Sequence, residues 1–236
     1  MQQTAADFDW RTHGGVLFDL DGVITPTAEI HEHAWGELFA DFDYTEADYL
    51  RYIDGKPRYD GVRSFLSSRN VSLPDGDPSD PPGDETVCAM GNRKNELFNT
   101  ILERDGIDPY PGSIATLDLL DAAGVKSAIV SSSKNARTVL EAAGLADRFE
   151  VVVDGVVAAR EHISGKPAPD MFLHAARQIG VDPGRAVVVE DAVSGVAAGA
   201  AGGFAAVIGV DRGAGAQTLL DHGATFVVAD LAELLP

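Results

Sequence analysis

Six short runs, almost wholly apolar, punctuate the chain: Gly15–Asp19 (GVLFD), Ser127–Val130 (SAIV), Val151–Val153, Ala186–Val189 (AVVV), Ala205–Val210 (AAVIGV) and Phe226–Val228. They are continuous rather than alternating, which is the pattern of strands buried on both faces of a parallel sheet. Between them, stretches such as 115–123, 136–143, 170–179 and 193–201 carry apolar residues at helical spacing. Strand and helix in alternation imply an α/β fold: a three-layer, Rossmann-like core with a mostly parallel sheet and right-handed crossovers.

The alternation breaks once. From about residue 27 to 108 there is no strand-like run, only helical patterns at 29–39, 61–67 and 94–104. Pro74–Asp84 (PDGDPSDPPGD) packs four Pro, four Asp and two Gly into 11 residues and is expected to be an exposed loop. The economical organisation is an α/β core made of 1–26 and 109–236, with an all-helical module, 27–108, inserted after the first strand. Ala192–Val210 runs 19 residues without a charge, close to the ~20 that span a bilayer. Gly195, Gly199, Gly202, Gly203 and Gly209 interrupt it, so a small-residue helix, a glycine turn and a buried strand are expected there instead of a membrane span.

Composition narrows the partners. Of 236 residues, 18 are Lys or Arg and 37 are Asp or Glu, a net charge of −19. Such a surface repels phosphate backbones and anionic lipid, so neither nucleic acid nor membrane is expected as a partner. An anionic small molecule would need a local cationic pocket or a metal ion. The single cysteine, Cys88, cannot form an internal disulfide, which suits a reducing compartment. Residues 1–13 include Asp7 and Asp9 and no apolar run, unlike a signal peptide. A cytoplasmic monomer is expected.

Chemistry gathers where four of the apolar runs end. The first gives Asp19-Leu20-Asp21-Gly22, two carboxylates released by a glycine turn, where open α/β sheets bind ligands. One acid can attack an electrophile or hold a metal while the other moves a proton. The second ends in Ser131-Ser132-Ser133-Lys134-Asn135 before a helix, hydroxyls and free N–H groups that suit a phosphate. Lys166 stands in Ser164-Gly165-Lys166-Pro167-Ala168-Pro169-Asp170. The two prolines are expected to keep this turn extended until Asp170 caps a helix, fixing Lys166 as a point charge for a phosphoryl oxygen. The fourth ends in Glu190-Asp191, which with Asp19 and Asp21 makes an oxygen-rich set suited to Mg²⁺. Each piece alone has a plain structural explanation, but the ordered set of four does not.

That ordered set resembles the haloacid dehalogenase superfamily. The inserted segment is similar to the small helical cap of its β-phosphoglucomutase-like subfamily, in Val23–His31 with Trp35, in Gly55-Lys56-Pro57-Arg58 and in Arg93-Lys94-Asn95. The resemblance implies Asp19 as a nucleophile forming an aspartyl phosphate and Asp21 as general acid/base and, through its carbonyl, a Mg²⁺ ligand. It implies Ser131 and Lys166 as holders of the transferring phosphoryl group, and Glu190 and Asp191 as completing the metal site. For a small phosphorylated sugar it implies contacts from Thr27, His31, Gly55, Arg58, Lys94 and Asn95 in the cap and Ser132, Ser133, Lys134 and Asn135 in the core. The implied reaction isomerises β-glucose 1-phosphate to glucose 6-phosphate through glucose 1,6-bisphosphate, the cap excluding water. A sugar-phosphate phosphatase with the same nucleophile is the alternative. Pro26 stands where many members carry a second Asp, and Thr25 is expected to cap the following helix with Pro26 as its first residue.

Overall fold

The computed structural model describes residues 4–53, 56 and 58–236, the side chain of Leu50 excepted. Gly55, expected to grip a phosphate, lies outside the described residues. The chain divides into two compact units, 1–26 with 107–236, and 27–106.

The first unit is built on a six-stranded sheet: β1 (Gly15–Phe18), β2 (Lys126–Val130), β3 (Val151–Val153), β4 (Ala186–Glu190), β5 (Ala206–Val210) and β6 (Phe226–Val228). All five pairings are parallel and the order is β3-β2-β1-β4-β5-β6, the doubly wound arrangement. Every residue of β1, β4 and β5 is buried, as continuous apolar runs require of strands covered on both faces. The covering helices are α5 (Pro111–Ala123), α6 (Ala136–Ala142), α7 (Gly155–Glu161), α8 (Asp170–Gln178), α9 (Val193–Ala201) and α10 (Ala216–Asp221). Phe172 on α8 is fully buried in the core cluster with Leu17, Val130 and Val188, each such side chain contributing about 1.5–3 kcal/mol.

Register matters more than composition here. Phe18 pairs with Ile129 on one side and Val189 on the other, so Asp19, Val130 and Glu190 end their strands level. After β3 the chain returns across β1 to start β4, so order reverses beside β1, where open sheets form their ligand crevice.

The second unit is helical: α1 (Thr27–Leu38), α2 (Glu46–Asp48), a π-helical stretch Tyr49–Ile53, α3 (Arg58–Ser68) and α4 (Val87–Asp105). Its core is aromatic. Phe39 and Phe65 stack with centroids 4.0 Å apart, Trp35 stacks on Phe39 at 5.5 Å, and Phe42 and Tyr44 meet Phe65 edge-on. The loop 74–84 is largely exposed, as composition implied, but it is tied down. Val87 N and Cys88 N donate to the carbonyls of Pro74 and Asp75, and Arg63 and Arg93 pair with Asp75 and Asp84.

Two local expectations are corrected. α1 begins at Thr27, one residue late, and Thr25 Oγ1 donates to Leu20 O at 3.4 Å, because the chain leaving β1 first closes a turn in which Ile24 N and Thr25 N both donate to Leu20 O. Asp170 does not cap α8: Pro169 holds the cap position and Asp170 is the first helical residue. The segment before it is a turn rather than extended, closed by Ala168 N donating to Gly165 O at 3.0 Å. No helix among the described residues is long and apolar enough to cross a membrane; 192–210 folds as α9, a glycine turn and β5.

Candidate active site

The level strand ends of the core unit meet on one cation. Lys166 Nζ contacts Asp19 Oδ1, lies 2.5 Å from Glu190 Oε1 and donates to Val130 O at 2.9 Å. Its side chain is 6% exposed and those of its two acids 9% and 1%, so the triad is sealed from bulk water. Burial alone would lower the Lys166 pKa, but Asp19 and Glu190 together hold it above the ordinary lysine value. The two carboxylates thus favour the ammonium over the neutral amine. Burial likewise raises Asp19 and Glu190, against the pull of Lys166.

Asp191 is next along the chain, and among the described residues no salt bridge of that kind shelters it. Burial and the charges of Glu190, Asp19 and Asp21 push its pKa well above the ordinary carboxylate range. Ligand oxygens of Asp19, Glu190 and Asp191 lie within 4.8 Å of one another. Three acids crowded so closely, one with its proton affinity driven up by the others, are the donor set a hard cation relieves. Two glycines shape it. A Cβ at Gly22, whose φ is +76°, would collide with the Asp191 carboxylate, and one at Gly195 in α9 would collide with Glu190. The residues present fit a divalent ion.

Ser131, fully buried, donates from Oγ to Asp21 Oδ2 at 3.5 Å and accepts from Ser133 N at 3.1 Å. Ser133 Oγ accepts from Asn135 N, so the 131–135 loop is folded on its own hydroxyls. Ser132 and Lys134 are exposed on it and Asn135 is half-buried at the N-terminus of α6. The core residues expected in the site thus come together: Asp19, Asp21, Ser131, Lys166, Glu190 and Asp191, with the 132–135 loop adjoining Ser131.

The helical unit gathers its own set. Lys94, 4% exposed, places Nζ 2.5 Å from His31 Nδ1 and over the rings of Trp35 and Phe98 at 5.2 and 5.1 Å. An ammonium has only donors, so Nδ1 accepts and the neutral ring carries its proton on Nε2. Burial first, then the charges of Lys94 and Arg58, hold the His31 pKa well below its ordinary value. His31 also stacks on Phe98 at 4.4 Å. Arg58 opens α3, over the Tyr59 ring at 5.6 Å. Thr27 is fully buried one turn before His31, and Asn95 is half-buried beside Lys94.

Little in the local pattern announces Trp35 and Phe98 as a shelf for Lys94, or the close approach at Gly195. A glycine inside a helical pattern costs about 1 kcal/mol against alanine, and that local cost was the available sign of a close approach.

Against known proteins, the family model described as haloacid dehalogenase-like hydrolase matches residues 14–203. A β-phosphoglucomutase of Mycobacterium bovis is 52% identical over 238 residues, covering 93% of this chain and 90% of that one. Hexitol phosphatase A of Escherichia coli is 32% identical, covering 80% and 79%. The crystal structure of a β-phosphoglucomutase from Clostridium difficile superposes with a TM-score of 0.75 at 26% identity, covering 94% and 93%. Matching motifs, fold and overall length leave one assignment: the chain belongs to the haloacid dehalogenase-like hydrolases, in their β-phosphoglucomutase-like subfamily.

Proposed function

We propose that this protein is a β-phosphoglucomutase, converting β-glucose 1-phosphate to glucose 6-phosphate through glucose 1,6-bisphosphate and an aspartyl phosphate on Asp19. The observation that carries the chemistry is the sealed triad of Asp19, Lys166 and Glu190 with Asp21 and Asp191 beside it. The likeness at 52% over nearly the whole chain supports the choice of sugar.

In the first half-reaction an Asp19 oxygen bonds to phosphorus as the bond to the sugar oxygen breaks, and Asp21 gives that oxygen a proton. In the second, Asp21 takes the proton of an acceptor hydroxyl, whose oxygen bonds to phosphorus as the Asp19 ester breaks. Lys166 carries a fixed positive charge against the equatorial oxygens, and Ser131 and the backbone of its loop donate to them. Mg²⁺, held by Asp19, Asp191 and the Asp21 carbonyl, would neutralise the dianion that an anionic nucleophile must approach. Glu190 has both oxygens engaged, one by Lys166 and one by Ala192 N at 3.1 Å, so in this reading it adds charge to that acidic set and chiefly holds Lys166 in place. Arg58, Lys94, Asn95, Thr27 and His31 bind the sugar phosphate, as do Ser132 to Asn135. A cytoplasmic monomer is part of this reading, supported by the buried, lone Cys88.

The second reading is a sugar-phosphate phosphatase with water as acceptor, favoured by the likeness to the hexitol phosphatase. One incubation separates them: protein, Mg²⁺, β-glucose 1-phosphate and a trace of glucose 1,6-bisphosphate, with glucose 6-phosphate and free phosphate followed together. Glucose 6-phosphate in large excess, abolished by Asp19→Asn, is expected. Phosphate release with little glucose 6-phosphate overturns the mutase and leaves the nucleophile standing.

A further inference from the structure

The turn that carries Asp21 is held from outside at three points by core residues that the chemistry above leaves unused. Ser113 Oγ donates to Val23 O at 2.6 Å, Tyr110 N to Ile24 O at 2.9 Å, and Arg212 Nε to Gly22 O at 2.9 Å. The first two hold the far limb. Arg212 alone of these three grips the carbonyl of Gly22, the residue directly after Asp21.

Arg212 is built to hold that carbonyl still. It follows β5, and its Nη1 donates to Ala229 O at 3.1 Å, just beyond β6. Nη2 lies 3.5 Å from Asp230 Oδ2, and the guanidinium lies flat enough over Tyr110 to bring Cζ within 3.8 Å of the ring centroid. The fork is therefore locked by two carbonyls, a carboxylate and a ring face, an arrangement a lysine cannot reproduce. Its target has little freedom of its own to spare. Gly22 has φ +76° and sits against the Asp191 carboxylate so closely that a Cβ would not fit.

The rest of the turn is closed upon itself. Gly22 N donates to Thr25 O at 2.8 Å, and Ile24 N and Thr25 N share Leu20 O. Such a turn keeps its shape when an outside tie is cut, but not its orientation. Asp19 is differently placed, because its N–H continues the sheet ladder to Val189 O and its carboxylate is fixed by Lys166.

We propose that Arg212 is a positioning residue for Asp21: by gripping the Gly22 carbonyl it aims the acid/base carboxylate, and it leaves the attack of Asp19 on phosphorus untouched. This rests on the phosphoryl-transfer reading given above. It divides the reaction into a part that depends on Arg212 and a part that does not.

Acetyl phosphate separates the two parts, because acetate leaves without needing a proton from Asp21. The Mg²⁺-loaded protein and its Arg212→Lys and Arg212→Ala variants are phosphorylated with it, and formation and breakdown of the aspartyl phosphate are timed separately, breakdown over a range of pH. Formation is expected to match wild type. Breakdown is expected to slow roughly 10- to 100-fold in both variants, as for a misaimed catalytic group. A merely structural role would lower both halves together with the melting temperature, and that result overturns the proposal, as does unchanged breakdown in folded variants. If Arg212→Ala does not fold, Arg212→Lys, which keeps the charge and the stem, decides alone. If wild type passes its phosphoryl group only to water, the mutase reading fails. Hydrolysis still needs Asp21 to take a proton from water, so the Arg212 effect remains readable.

Discussion

Each unit of this protein buries one lysine, and the two stand in different surroundings. Lys166 is locked between two carboxylates and a carbonyl. Lys94 rests on a neutral imidazole and two ring faces. Removing one partner of a buried ion pair costs about 3–5 kcal/mol because the other charge is stranded. A cation over an aromatic ring gains about 0.5–2 kcal/mol. The core cation therefore holds two buried carboxylates together as well as standing at the proposed phosphoryl site. The helical unit's cation has a neutral imidazole and two ring faces against it.

The largest effect that could break this contrast comes from Lys166→Met. It should cost about 3–5 kcal/mol in urea unfolding and at least ~100-fold in glucose 6-phosphate formation. Lys94→Met should lose about 0.5–2 kcal/mol of ring contacts; a loss equal to that of Lys166→Met would erase the distinction. Next comes Gly195→Ala, whose methyl group must displace Glu190 from beneath α9. About 1–3 kcal/mol of overpacking is expected, together with slower phosphorylation of Asp19, while Gly36→Ala in α1, whose methyl group would meet the Tyr44 ring at an ordinary 3.7 Å, should leave that step unchanged.

Metal addition sharpens the contrast further. At 100 times its Kd, Mg²⁺ should stabilise the protein by about 2.7 kcal/mol, an increment read as a rise in Tm. Asp191→Asn should remove it and Lys94→Met should not.

The smallest effect is in pH. The folded pKa of His31 lies below 6.5, so its contribution is complete above that value and is lost as pH falls, because only the unfolded chain then takes up the proton. The loss is at most about 1.4 kcal/mol per pH unit. Asp19 and Asp191 are raised in the fold and work in the other direction, their contribution present at low pH and lost as pH rises. Urea midpoints at two pH values should therefore show His31→Asn flattening the acid-side loss. Removing Lys94 should raise the His31 pKa in an NMR titration, since one lowering charge is gone.

How much of this was legible beforehand varied with the physics involved. Strands were legible because burial on both faces leaves no polar position: 151–153 and 226–228 are bounded as the apolar runs are. The meeting of Asp19, Lys166 and Glu190 was legible as a set, since acids at strand ends need a reason. What escaped was local or long-range. α7 and α10 are short helices with few periodic positions to read. The start of α1 turned on competition between a helix cap and the turn bonds to Leu20, which propensity does not weigh. Arg212 lies 190 positions from the carbonyl it grips, and no local pattern announces such a tie.

One bond in that same turn bears on how the molecule came to have its present plan. Tyr110 N donates to Ile24 O, so the chain's departure from the core and its return are already fastened to each other by the core's own backbone. The entropy of closing the 80-odd residues between them grows only as the logarithm of their number, and those residues carry a core of their own. That stretch could therefore be exchanged, lengthened or trimmed without rewriting the sheet or the meeting of Asp19, Lys166 and Glu190 at its strand ends.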